Sequence, residues 1–189
     1  MTNSDPQPAT VADLLTRVRA AYADFAAAIG RLSDDQLLAL NAVGSWSVRD
    51  AIAHVGADER WMAGQLEAIH TNELPTALGC YGSDELAAPD IDLSTQDGRN
   101  AWQYERLRGL SLDEVRSLAA EGHARLLAAI ERFQDGHLTE EFTIADLGTM
   151  GHIRPRKEGE QGWPLWQWLR GVTYHHYDDH ATGIREAAS

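Results

Sequence analysis

Cysteine occurs once in these 189 residues, at Cys80, so the chain cannot close an internal disulfide. A lone thiol in Gly79-Cys80-Tyr81-Gly82 is read as incidental rather than as a nucleophile. Long apolar runs are missing too. No stretch approaches the roughly 20 uninterrupted apolar residues that a membrane span requires. Basic residues are scarce, with 16 Lys and Arg against 29 Asp and Glu, a formal net charge of −13. A field of that sign repels phosphate backbones and anionic bilayers, which argues against nucleic acid and membrane as partners. The opening Met1-Thr2-Asn3-Ser4-Asp5 has neither a basic region nor an apolar signal core, so the expected location is cytoplasmic.

What is present is enough apolar material, 43 % of the chain, to fill one core at this length. A single domain over residues 1–189 is therefore expected. Four segments carry apolar residues at three- and four-residue spacing. The first opens at Thr10 with Asp13 three positions on, and stops at Gly30. The second opens at Ser47 with Asp50, and its stripe is Ile52, Val55, Met62, Leu66 and Ile69. The third opens at Ser111 with Glu114 and runs toward Gly136. The fourth starts near Pro164, a residue tolerated in a first turn, and reaches about Ala187. Strand signals are almost absent, and the pattern predicts an all-α bundle. The connections are unequal. Leu32–Leu40 has room for one extra helical turn, and a short helix is expected at Asn100–Leu107 within the long second connection. Phe142-Thr143-Ile144, in the third, reads as extended.

His176 and His180 lie four apart on the last helix, so their rings differ by about 40° and face one way. Leu165, Leu169, Val172, Thr173 and Ile184 share that face, which makes it the inward side. Inward imidazoles need partners. Two ligands of a divalent metal are one solution, and core histidines bonded to carboxylates or backbone are the other. A third ligand must come from another helix. His54 is the best placed candidate and His123 the runner-up, while His70 ends a helix and His137 and His152 fall in loops. His175 is rotated about 100° from His176 and is expected beside the site or on the surface. Three histidines leave a coordination position open, the arrangement that marks catalysis, and zinc and nickel both suit it.

Asp58, one turn after His54, and Asp179, next to His180, are candidates for orienting an imidazole or acting as a base. Six tryptophans are the other unusual feature. Trp163, Trp166 and Trp168 crowd the start of the fourth helix, with Trp46, Trp61 and Trp102 elsewhere. Core packing accounts for part of them, and a small-molecule pocket is the alternative use. Tyr81, Tyr104, Tyr174 and Tyr177 add hydroxyls able to orient a ligand.

The segment Trp46-Ser47-Val48-Arg49-Asp50-Ala51-Ile52-Ala53-His54-Val55, followed by Glu59-Arg60-Trp61, resembles the second helix of the DinB/YfiT-like superfamily. Thr173-Tyr174-His175-His176-Tyr177-Asp178-Asp179-His180-Ala181 resembles its last helix. The His-Tyr-x-x-His form and the Asp97–Asn100 stretch are similar to the ClbS/DfsB branch. That resemblance implies a four-helix bundle arranged up-down-down-up, with a metal held by His54, His176 and His180. It also implies a homodimer as one assembly. Superfamily members include transferases and isomerases that use bacillithiol or mycothiol. The ClbS branch includes a self-resistance protein that opens an electrophilic cyclopropane with water.

Two functional readings follow. In one, the protein is a metal-dependent enzyme acting on a small electrophile by hydrolysis or thiol transfer, in detoxification or self-resistance. Asp58 or Tyr177 would assist proton transfer, and substrate would enter beside the loops at Gly79–Gly82 and Gly148–Gly159. In the other, it sequesters a small hydrophobic molecule in an aromatic pocket and does no chemistry.

Overall fold

The computed structural model describes residues 6–73, 92, 95–145 and 151–187. Cys80, Tyr81, the Gly79–Gly82 loop and Gly148 lie outside them. Helix starts are where the caps place them. α1 spans Val11–Ile29, with Thr10 accepting from the Asp13 amide. α2, Asp34–Leu38, is the expected extra turn. α3, Val48–Thr71, begins at a complete capping box, in which Ser47 and Asp50 satisfy one another's backbone amides. α4 spans Gln96–Leu107, and α5 spans Leu112–Ile130 behind the Ser111–Glu114 box.

α3 is the central helix. It buries side chains all the way round, where a surface helix buries one stripe. Its most extensive partner is α5, while α1 packs chiefly on the last helix, α7 (Tyr174–Ala187). The α3–α5 crossing is close because two glycines meet there. A Cβ on Gly56 would sit 2.8 Å from the Ala119 Cα, and one on Gly122 would sit 2.7 Å from the Gly56 carbonyl oxygen. Leu14, Val18, Phe25, Val55, Met62, Leu66, Val115, Leu126, Leu169 and Ile184 fill the surrounding core.

Two features depart from the helical expectation. The third helix stops at Ile130 instead of running toward Gly136, and a 3₁₀ turn at Asp135–Thr139 leads into a small antiparallel sheet. Phe142–Ile144 is extended as anticipated, within β1 (Glu141–Ala145). β1 is flanked by β2 (His152–Pro155) and β3 (Trp163–Pro164), in the order β2-β1-β3. Phe142 lies opposite both Pro155 and Trp163. The strands are two to five residues long, too short to show a two-residue period in the sequence.

The fourth helix is not continuous. It divides at Thr173 into α6 (Leu165–Val172) and α7 (Tyr174–Ala187). Gly171, Val172 and Thr173 form a run of weak helix formers. The Thr173 hydroxyl donates to the Leu169 carbonyl at 2.5 Å, and the backbone leaves the helical basin at φ −121°, ψ −115°.

The glycine crossing gives a test of sign. Helix propensity alone predicts that Gly122→Ala stabilises α5 by about 1 kcal/mol. Because the new methyl group meets a backbone carbonyl, the substitution is expected to destabilise the protein by about 1–3 kcal/mol in urea unfolding.

Candidate metal centre

Three imidazoles converge where α3 faces α7. His54 Nε2 is 3.1 Å from His176 Nε2, which is 3.0 Å from His180 Nε2. The ring centroids form a near-regular triangle of 4.9, 4.7 and 5.4 Å. His54 is buried, and His176 and His180 are partly buried. Among the described residues these three form a group able to hold a metal ion. Three nitrogens bound at about 2.0–2.1 Å to one ion stand roughly 3 to 3.4 Å apart, the separation seen in the two close pairs.

Proton counting supports the same fit. A neutral imidazole carries one ring proton. The Nδ1 of His54 lies 2.5 Å from Gln103 Oε1, while its Nε2 faces His176. His176 Nδ1 is buried without a hydrogen-bond partner, 3.9 Å from Asp58 Oδ2. Burial holds the His176 imidazole below its ordinary pKa, and Asp58 only partly opposes this. Burial likewise lowers His180, to about 3, with His176 and His54 adding to the effect. His176 and His180 are thus held in their neutral form, with ring lone pairs that a divalent cation can take up.

Asp58 stands beside the triad. Its Oδ2 is 3.6 Å from His54 Nε2, and its Oδ1 accepts from Gln103 Nε2 at 2.6 Å. About a quarter of its side chain reaches solvent. Trp46 packs edge-on to His54 at 5.1 Å and lies parallel to Tyr104 at 6.2 Å, so two aromatic rings wall this side of the site.

Tyr177 is not brought to the triad. Fully buried, it donates its hydroxyl to Glu59, and burial followed by the Glu59 charge drives its pKa well up. His123, the runner-up ligand, is committed to the same carboxylate at 2.7 Å and stacks on Tyr22 at 3.5 Å. Asp179 lies at the surface and pairs with His175 at 3.3 Å, so it orients that ring and none of the three convergent ones. His175 is partly exposed beside the site, in keeping with its helical rotation from His176.

Gln103 and Glu59 are the residues that sequence reasoning passed over. Neither a neutral amide nor one acid among 29 stands out in a sequence. Gln103 sits on α4, where only a helix was expected. The aromatic residues fall in two places. Trp102 and Trp166 are core, whereas Trp163 and Trp168 line an open groove of about 500 Å³ with Gln167, Gly171, Val172 and His175.

Histidines that converge from a central and a terminal helix of one bundle have a known setting. The DinB superfamily model matches residues 15–182. The chain belongs to the DinB superfamily. Among solved structures, the DinB-like chain resembles the sibling lethal factor precursor DfsB, at 18 % identity and a TM-score of 0.66, with 94 % of each chain covered. It also resembles the colibactin self-resistance protein ClbS at 10 % identity and a TM-score of 0.69, covering 97 % of this chain and 98 % of that one. The mycothiol-dependent maleylpyruvate isomerase matches at 15 % identity and a TM-score of 0.61, over 92 % of this chain and 60 % of that one. At such identities the likeness establishes the fold. No curated protein matches the sequence. The ClbS structure contains double-stranded DNA, a partner that the charge of −13 led us not to expect for this DinB-superfamily chain. No described helix is long and apolar enough to cross a membrane.

The depressed imidazoles set a pH dependence. Unfolded, His180 takes up its proton near 6.5; folded, it resists until about 3. The unfolded state binds more protons between those values, so the metal-free protein loses stability as pH falls through this window. Urea midpoints measured across it are expected to decline, and less steeply in His180→Gln.

Proposed function

We propose that the protein is a metal-dependent enzyme of the ClbS/DfsB type, acting on a small electrophilic molecule by hydrolysis or thiol transfer. One observation carries this reading: three histidine nitrogens converge beside a partly exposed carboxylate that is not required as a ligand. The setting is consistent with the neighbours, one described as a self-resistance protein and another as a mycothiol-dependent isomerase.

His54, His176 and His180 would hold the ion, zinc or nickel. When bound, such an ion polarises a coordinated oxygen or sulfur and makes water or a thiol nucleophilic near neutral pH. The remaining work falls to the chain. As the nucleophile's oxygen or sulfur bonds to the electrophilic carbon, its proton passes to Asp58 Oδ2; the bond from that carbon to the departing atom, or to the ring atom of a strained ring, breaks with its electron pair, and the departing atom takes the proton back from Asp58. Gln103 holds the other Asp58 oxygen and keeps Oδ2 turned toward the triad. Trp46 and Tyr104 restrict water on the His54 side. Tyr177, locked to Glu59, takes no part in proton transfer at the site.

Sequestration without chemistry is the second reading, and the groove lined by Trp163 and Trp168 is the observation in its favour. The two separate experimentally. Chain purified without chelator is expected to retain about one zinc or nickel ion, and His176→Ala to lose it. In a screen of small electrophiles with and without low-molecular-weight thiols, Asp58→Asn, whose amide oxygen can still accept from Gln103, should keep the metal yet lower turnover about 10²–10⁴-fold. A metal-free protein whose tryptophan fluorescence titrates with a ligand that it leaves unchanged would establish sequestration instead.

A further inference from the structure

We propose that Gln103 is the positioning residue of the site, fixing His54 in the tautomer whose Nε2 is free to bind. The Asp58 carboxylate can only accept hydrogen bonds, so the group facing it at 2.6 Å must be the amide NH₂ of Gln103. That places the amide oxygen on the opposite side, 2.5 Å from His54 Nδ1. An amide oxygen only accepts, so the His54 proton resides on Nδ1 and the Nε2 lone pair is left pointing at His176, 3.1 Å away. A neutral imidazole left to itself prefers its proton on Nε2, the arrangement that would block coordination. Asp58 therefore selects the amide's orientation, and the amide selects the tautomer.

The helix that carries Gln103 is held for this task. Arg49, at the start of α3, donates to the carbonyls of Arg108 and Leu110 at 2.9 Å each and pairs with Asp50. Burial pushes the Asp50 carboxyl up, but its bonds to Ser47 and Arg49 outweigh this and keep it ionised. The end of α4 is thereby pinned to the first turn of α3, one and a half turns from His54. Gln103 is 3 % exposed, so the bridge is shielded from competing water.

The effect on metal affinity rests on the proposed triad; the tautomer does not. Both are read from the full chain. In chelator-treated protein, at a pH well above the ordinary imidazole value, long-range proton–nitrogen spectra are expected to show His54 protonated on Nδ1. Gln103→Leu should move that proton wholly or partly to Nε2. Gln103→Glu, which on sharing one proton with Asp58 replaces the amide donor and still offers His54 an acceptor, should leave it on Nδ1. Cobalt(II) titration followed by visible absorption should then show Gln103→Leu binding about 10–100-fold more weakly than the unaltered chain. A His54 proton on Nε2 in the unaltered chain would overturn the proposal, as would a tautomer indifferent to Gln103→Leu. If the unaltered chain bound no cobalt(II) while the tautomer followed residue 103, the metal-dependent function would fail and the positioning role would stand. Melting curves and far-ultraviolet dichroism identify any variant that fails to fold, and Gln103→Glu, matched in shape, keeps the tautomer readout available.

Discussion

A carboxylate sealed in the centre of the bundle is the constraint on which the rest of this structure depends. Glu59 is fully buried on α3, takes hydrogen bonds from His123 on α5 and Tyr177 on α7, and reaches α1 through the Tyr22 ring stacked on His123. Burial raises its pKa while His123 and Tyr177 pull the other way. Four helices thus meet at one side chain. An apolar core tolerates small rotations of a helix about its axis; a hydrogen bond of fixed length does not. By anchoring Tyr177, Glu59 fixes the rotation of α7, and the neighbouring residue His176 and its companion His180 are turned onto His54 as a result.

The site is accordingly built on two levels. The inner level sets helix orientation from the middle of the core, and the outer level sets ring and carboxylate orientation from α4. They share no residue. Glu59 and Asp58 are adjacent on α3, yet their carboxylates diverge, one toward the α5 and α1 side and the other toward Gln103. This division explains why one His-x-x-x-His helix contains both a deeply locked tyrosine and two rings whose nitrogens converge on His54.

The helices and the three convergent histidines were legible in the sequence because each leaves a local mark. Caps such as Ser47–Asp50 and Ser111–Glu114 act within a single turn, and His176 and His180 share a face by spacing alone. His54 was reachable as a core-facing helical histidine, with His123 as runner-up, and through the segment that resembles the superfamily's second helix. What escaped has no local mark. Gln103 and Glu59 act across 49 and 118 residues of separation respectively, through partners chosen by packing. His123 and Tyr177 looked available for the site only because their real partner was invisible. The sheet escaped because its strands, two to five residues each, are too short to show a two-residue period, and the Thr173 break because a hydroxyl returning to Leu169 competes with a helical pattern that continues on both sides.

That break has a mechanical consequence. A continuous helix transmits any change in length at its start as a rotation of about 100° per residue along its whole extent. With the helix jointed at Thr173, a residue gained or lost among the strands or in α6 would be absorbed at the joint, and α7 would keep the orientation that Glu59 imposes. The sheet-bearing segment is in this sense free to be remodelled without moving the three histidines, a modularity that an unbroken helix would deny.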